Sequence, residues 1–244
     1  MKALINNCDH GSSTFVTLEL DDTCKPTAVC KSSSGEGVRD LRQEIEGVQW
    51  YNKRAKSKLS FFIERNESNY FLVKFDFIDG KMYPLKRGVR GNIDPIFSAL
   101  KHYIDIWSEY HDKGDGPLHG DYSLGNIIFV NSKPIIIDWE HFHMEGVPVG
   151  FDALFLIYEA LWFESGNHLP KKSTLDSVAR MVSLLIERKC INSWLLNAPL
   201  KTMRKFIENN RGLWKTQSKK LPVLLFHESI VNFVDEKVNS KILK

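Results

Sequence analysis

The segment that most constrains this chain is LHGDYSLGNIIFVNSKPIIIDWE, Leu118 to Glu140. The runs Asn126 to Val130 and Ile135 to Ile137, joined through a Lys133-Pro134 corner, read as a hairpin of buried strands. Polar residues of definite kinds stand at its ends. His119-Gly120-Asp121 precedes it, Asn126 follows Asp121 by five positions, and Asp138 closes the second run. A positioned base, a polar ligand after a short loop and a carboxylate behind a buried strand are the parts that phosphoryl transfer to a hydroxyl requires. Each piece alone is an ordinary turn or strand end. Together, at this spacing, they point to one reaction.

The chemistry fits the residue types. A base must come within hydrogen-bond reach of the acceptor hydroxyl. Asp121 suits that role, because Gly120 beside it leaves room for a close approach, and His119 would order the loop by hydrogen bonding. Asn126 and Asp138 offer hard oxygens, which Mg²⁺ prefers.

The rest of the chain organises around this segment. Lys2 to Ile5, Thr14 to Leu20 and Thr27 to Lys31 read as strands, followed by a helix from Val38 to Lys56 with Val38, Leu41, Ile45 and Val48 at helical spacing. Leu59 to Ile63 and Tyr70 to Ile78 resemble a further hairpin. Asp94-Pro95 is a helix start, with Ile96, Leu100, Tyr103, Ile104 and Trp107 on one face up to about His111. Another apolar helix opens at Asp152. Ser173 to Asp176 has capping-box spacing before a helix to about Cys190, and more helices are expected from Asn192 to Val238. Trp107, Trp162, Trp194 and Trp214 fall in helical patterns and read as core. The expected fold is α+β and two-lobed. Residues 1–80 form a small antiparallel sheet with one helix, and residues 81–244 form a mainly helical lobe.

The pattern H-G-D-x-x-x-x-N followed by I-I-D-W-E resembles the aminoglycoside phosphotransferase and choline kinase group, which shares the protein-kinase-like fold. Gly146, Gly150 and Asp152 are similar to the glycine-rich turn and Asp that open the next helix in that group. The resemblance implies ATP and Mg²⁺ as cofactors, with Asp121 as base and Asn126 and Asp138 on the metal. It implies that Lys31 contacts the nucleotide phosphates and that Gly11, Ser12 and Ser13 form a short turn covering them. Phe75, Asp76 and Phe77 resemble the hinge strand whose backbone holds adenine. Lys31 needs an acidic partner from the following helix, and Glu44 lies closer to that helix's apolar stripe than Glu46 does. Glu140 stands as a metal contact, a group behind the metal site or a plain surface carboxylate. Departures from the pattern are the absence of a full G-x-G-x-x-G loop and Trp139 where protein kinases have Phe, as is usual in the resembled group.

Other readings are weighed against this one. Only thirteen residues (139 to 151) separate Asp138 from Asp152, without an A-P-E sequence, which leaves little chain for an activation loop or a peptide platform. A small-molecule acceptor is therefore expected: a sugar or glycoconjugate, or else an aminoglycoside or choline-like amino alcohol. Trp162, with Glu159 and Glu164, is a candidate substrate wall, because an acidic aromatic pocket suits cations and sugars. Glu140, His141 and His143 lack a partner at zinc spacing. A catalytically inactive scaffold would need none of Lys31, Asp121, Asn126 and Asp138.

Composition bounds the rest. A net charge of +3 over 244 residues, with no basic stripe, gives no footprint for nucleic acid. The apolar window Val147 to Phe163 is interrupted by Asp152 and Glu159 and is not a membrane span. The Lys- and Leu-rich stretch Lys219 to Lys244 is read either as a peripheral membrane contact or as ordinary helix packing. Cys8, Cys24, Cys30 and Cys190 show no paired spacing, and MKALINNCDHGSS lacks a signal-peptide core, so a cytoplasmic protein with reduced thiols is expected.

Overall fold

The computed structural model describes residues 2–6, 14–56, 58–83, 94–210 and 221–242. The chain divides into two compact units, Met1–Gly80 with Ile137–Phe142, and Lys81–Ile136 with His143–Lys244. The segment 137–142 follows residues of the second unit in sequence but packs with the first.

In the first unit β1 (Lys2–Asn6), β2 (Thr14–Leu20), β3 (Pro26–Ser34), β4 (Phe61–Asn66) and β5 (Tyr70–Asp76) form one antiparallel sheet in the order β1-β2-β3-β5-β4. Alternation along the strands decides which side chains face the helix. Lys31 of β3 stands opposite Val73 of β5, and Ser33 opposite Phe71, so these four share a face. Helix α1 (Gly37–Asn52) covers that face. Its Val38, Leu41 and Ile45 cluster with Phe71 and Val73, flanked by Phe61, Ile63 and Phe75. Each fully buried aliphatic there contributes roughly 1.5–3 kcal/mol. Beyond the helix, Asn52 both donates to Leu59 O and accepts from Leu59 N, which fastens the connection into β4.

The second unit is mainly helical. A three-stranded sheet of β6 (Lys81–Met82), β8 (Ile127–Val130) and β9 (Lys133–Ile136), and a two-stranded sheet of β7 (Asp115–Leu118) and β10 (His143–Pro148), accompany six helices among the described residues. The helices are α2 (Asp94–Ile106), α3 (Phe151–Ser165), α4 (Lys172–Glu187), α5 (Ser193–Leu196), α6 (Pro199–Asn209) and α7 (Glu228–Ile242). Helix α3 is apolar nearly all round and packs against α2, α4, α6 and the turn Pro222–Leu225, as a helix without a polar face must. Among the described residues no helix is long and apolar enough to cross a membrane. Helix α7 buries Ile230, Val231, Val234 and Val238 and packs on α4 and α6, so its apolar stripe meets the protein and not a membrane.

Several local expectations are corrected. The turn of the β8–β9 hairpin is Asn131-Ser132, both left-handed with φ 49° and 63°, while Lys133 and Pro134 lie inside β9. Strand β9 is at the sheet edge, where a missing N–H costs no ladder bond. Helix α4 starts at Lys172, so Ser173 lies within its first turn and does not cap it. Strand β3 runs on to Ser34, because pairing with both β2 and β5 carries it past its charged residue. Trp107 and Trp162 are buried, but Trp194 is 47% exposed with its ring against Phe206. Trp214 lies outside the described residues. Strands β6, β7 and β10 were not expected, since they are short and lack alternation.

Gly150 joins β10 to α3 with φ 92°, and an added Cβ would stand 2.8 Å from Cys190 O and 2.9 Å from Ile191 Cα. The backbone conformation and the contact both exclude a side chain. Gly150→Ala is expected to cost about 2–4 kcal/mol of unfolding free energy. Urea denaturation checks this, and a loss indistinguishable from zero would refute the account.

Candidate active site

In the first unit Lys31 is the centre. Its Nζ lies 2.7 Å from Glu44 Oε1 and 2.6 Å from Asp138 Oδ1, with the Lys31 side chain 13% exposed. Burial alone would push the Lys31 pKa down, but the carboxylates of Asp138 and Glu44 outweigh it and hold the ammonium above its ordinary value. Glu44 faces inward on α1 and is buried, while Glu46 is exposed, as the apolar stripe requires. Burial raises the Glu44 pKa to about 7, Lys31 opposes the rise, and the charges of Asp138 and Glu140 add to it. The second oxygen of Glu44 has no hydrogen-bond partner, which explains why one lysine does not cancel its desolvation. Asp138 sits at φ 63°, in the left-handed region that Asp tolerates better than most residues, as is common where function holds a strained backbone. Glu140 pairs with His141 at 3.5 Å.

Behind Asp138 an aromatic wall forms. Trp139 is fully buried, its ring 5.8 Å from Trp50 and 5.4 Å from Tyr51, and Phe142 lies 5.8 Å from both Trp50 and Trp139. Phe75 faces the sheet core, whereas Asp76 and Phe77 are exposed. The N–H of Asp76 donates to Ser60 O and that of Phe77 to Thr27 O. Gly11, Ser12 and Ser13 lie outside the described residues.

In the second unit the His119-Gly120-Asp121 loop is held from below. Asp152, at the first turn of α3, accepts from His119 N at 2.7 Å and from Gly120 N at 3.1 Å. Burial pushes the Asp152 pKa up to about 7; the two N–H groups pull it down, and the Asp121 charge pushes it up. Gly120 has φ 88°, which glycine alone adopts without cost. His119 is fully buried, and its Nδ1 accepts the Asp121 N–H at 3.2 Å, so the ring proton belongs on Nε2. Burial and this hydrogen bond make His119 part of the packing of the loop. Tyr122 donates to Ala99 O, and its ring packs edge-on to Tyr103 and Trp107.

Asn126 Nδ2 donates to both Asp121 O at 3.0 Å and Asp121 Oδ2 at 2.9 Å. The amide hydrogens are thereby committed, and the amide oxygen is the atom left for a cation. Among the described residues no group of three or more His, Cys, Asp or Glu side chains is disposed to hold a metal by itself. Mg²⁺ needs no such cage, since one or two protein oxygens and phosphates suffice. Two turns along α3 from Asp152, Glu159 is buried with a bare Oε2; burial, then the Asp121 charge, push its pKa well up. Trp162 packs edge-on against Phe226, and Glu164 is instead at the surface, accepting from Thr174.

No family model matches the chain, and no curated protein does. Among solved structures, the streptomycin–ATP–APH(2")-IIa ternary complex aligns over 85% of this chain and 82% of that one, at 12% identity with a TM-score of 0.52. The chain has a protein-kinase-like fold. A kinase of Cydia pomonella granulovirus, PK-1, aligns at 16% identity over 77% of this chain and 89% of that chain, with a TM-score of 0.44, too loose to carry an argument. The first unit matches the expected sheet with one helix and the second the expected helical part. Residues that the sequence did not flag include Gly47, Gln43 and Tyr122, whose ring joins the helix-face residues Tyr103 and Trp107. Only Gly47 carried a signal, as a lone glycine inside a helical pattern.

Lys31 limits how far the Glu44 pKa rises. In wild type the unfolded chain releases the Glu44 proton near the ordinary 4.5 and the folded chain near 7, so this group makes stability fall as pH rises across that window. Lys31→Met is expected to make the fall steeper and extend it above pH 7. Urea midpoints from about pH 5 to 9 read this out. Superimposable pH profiles of wild type and variant would sink the assignment.

Proposed function

We propose that the chain is an ATP- and Mg²⁺-dependent kinase that moves the γ-phosphate to a hydroxyl of a sugar or glycoconjugate. The observation that carries this reading is the double ion pair of Lys31 with Glu44 and Asp138, at 2.7 and 2.6 Å. A lysine oriented by two carboxylates in a kinase-like sheet is suited to phosphate oxygens.

Each unit would supply its own share. In the first, Lys31 contacts the α- and β-phosphates, Glu44 orients Lys31, and Asp138 gives an oxygen to Mg²⁺. Glu140 acts through its charge on Glu44. The N–H groups of Asp76 and Phe77 are already engaged, so adenine held along Phe75, Asp76 and Phe77 would be met by other backbone groups there. In the second unit, Asp121 orients the acceptor hydroxyl and takes its proton, and Asn126 offers its amide oxygen to Mg²⁺. His119 and Asp152 keep the Asp121 loop in shape. Bound Mg²⁺ would offset charge on the phosphates. The acceptor oxygen forms its bond to γ-phosphorus as the bond to the β,γ-bridging oxygen breaks, and ADP leaves with that electron pair.

A second acceptor class, the aminoglycosides and amino alcohols, is favoured by Glu159. Its buried Oε2 has no hydrogen-bond partner, and the N–H groups of an ammonium would both satisfy that oxygen and favour the charged carboxylate that burial opposes.

The test is transfer of labelled γ-phosphate from ATP across a panel of sugars, glycoconjugates, aminoglycosides and amino alcohols. Transfer is expected to require Mg²⁺ and to drop about 10²–10⁴-fold in Asp121→Asn. Asp138→Ala is expected to lose it as well. Equal background signal from wild type and both variants would favour the inactive scaffold. A preference for amine-bearing acceptors that disappears in Glu159→Gln would select the second class.

A further inference from the structure

Glycine inside a helix costs about 1 kcal/mol relative to alanine, so a glycine in the middle of α1 calls for a reason. Gly47 is buried among residues that otherwise make α1 a good apolar helix. A Cβ there would stand 2.7 Å from Trp139 Cβ, 2.9 Å from Phe142 Cβ and 3.0 Å from Phe142 Cγ. The two nearest are Cβ atoms, which move only with their backbone, so no rotamer change relieves those contacts. Carbon atoms in contact prefer about 3.5–4.0 Å, so the segment 139–142 would have to retreat by roughly 1 Å.

That segment is otherwise well tied. Phe142 N donates to Trp139 O at 3.0 Å, closing a turn, and Gln43 Nε2 donates to Phe142 O. Gln43, Glu44 and Gly47 occupy one turn of α1, and residues three and four apart on a helix share a face. The same turn therefore holds Lys31 through Glu44 and seats the backbone next to Asp138 through Gly47 and Gln43.

We propose that Gly47 is a positioning residue for Asp138: its missing side chain lets Trp139 and Phe142 lie directly on α1, which places the Asp138 carboxylate at Lys31. Asp138 is then fixed to α1 and does not swing independently of it. The inference rests on the kinase reading only where it concerns metal use; the seat itself is a property of the first unit.

Gly47→Ala is the direct test, with Leu41→Ala as comparator, since Leu41 loosens the same helix on the sheet side without bordering Trp139. In Gly47→Ala the Mg²⁺ concentration for half-maximal transfer is expected to rise about 10–100-fold with KM for the acceptor unchanged, as for other residues behind a metal ligand. Leu41→Ala is expected to lower the melting temperature and leave the Mg²⁺ requirement alone. Gln43→Ala, which introduces no clash, is expected to shift it in the same direction by a smaller factor and serves if Gly47→Ala does not fold. An unchanged Mg²⁺ requirement in the glycine and glutamine variants, or an equal rise in the leucine variant, would overturn the proposal. Fluorine NMR of protein labelled with 5-fluorotryptophan gives a readout without activity. The Trp139 resonance, assigned with Trp139→Phe, is expected to shift in Gly47→Ala along with that of Trp50, while Trp107 stays in place. If wild type transfers no phosphate, the kinase reading fails while this spectrum still decides the seat. An unmoved Trp139 resonance overturns it.

Discussion

The first unit depends on a buried charge that is only half compensated. Glu44 has given up water for a single lysine contact, and Lys31 divides itself between that carboxylate and Asp138. A buried pair of this kind is weak as a source of stability, because desolvation consumes most of the attraction. What it provides is direction: the ammonium is confined between two fixed carboxylates. The surrounding sheet, the inward face of α1 and the Trp139 wall are all arranged so that those carboxylates cannot drift.

The second unit solves a similar problem with backbone in place of a cation. The His119-Gly120-Asp121 loop turns through a left-handed glycine, which directs two consecutive N–H groups at Asp152. Charge on Asp152 is thereby met by amide dipoles, and the loop shape is written into the first turn of α3. Asn126 then ties both ends of Asp121, its carbonyl and its carboxylate, to the start of β8. Loops positioned by rigid elements are where reactive groups are expected.

Much of this was readable in the residues, and the rest was not for definite reasons. Helical spacing alone chose Glu44 over Glu46, because burial of a helix face follows from its period. The strands of the first unit were visible through alternation, with boundaries a few residues off where pairing on both sides extended β3. The turn at Asn131-Ser132 is hidden in the sequence because Pro134 is a louder local signal than two residues that adopt left-handed backbone. Trp194 escapes prediction because its helix of four residues has too few turns to define a face. Strands β7 and β10 exist through pairing between segments far apart in the chain, which no local pattern encodes. The role of Asp152 was visible only as a resemblance, since its partners are backbone N–H groups and carry no sequence signature.

Helix α3 has one more implication. Asp152 and Glu159 are seven residues apart, so they lie on one face about 10 Å from each other along the axis. Both feel the charge of Asp121. A helix apolar nearly all round and packed on several neighbours cannot rotate or slide without disturbing them. It therefore works as a ruler: the support of the Asp121 loop and the buried acid beyond it keep a constant spacing. A substitution at either position would change the group standing there without altering the distance between the two.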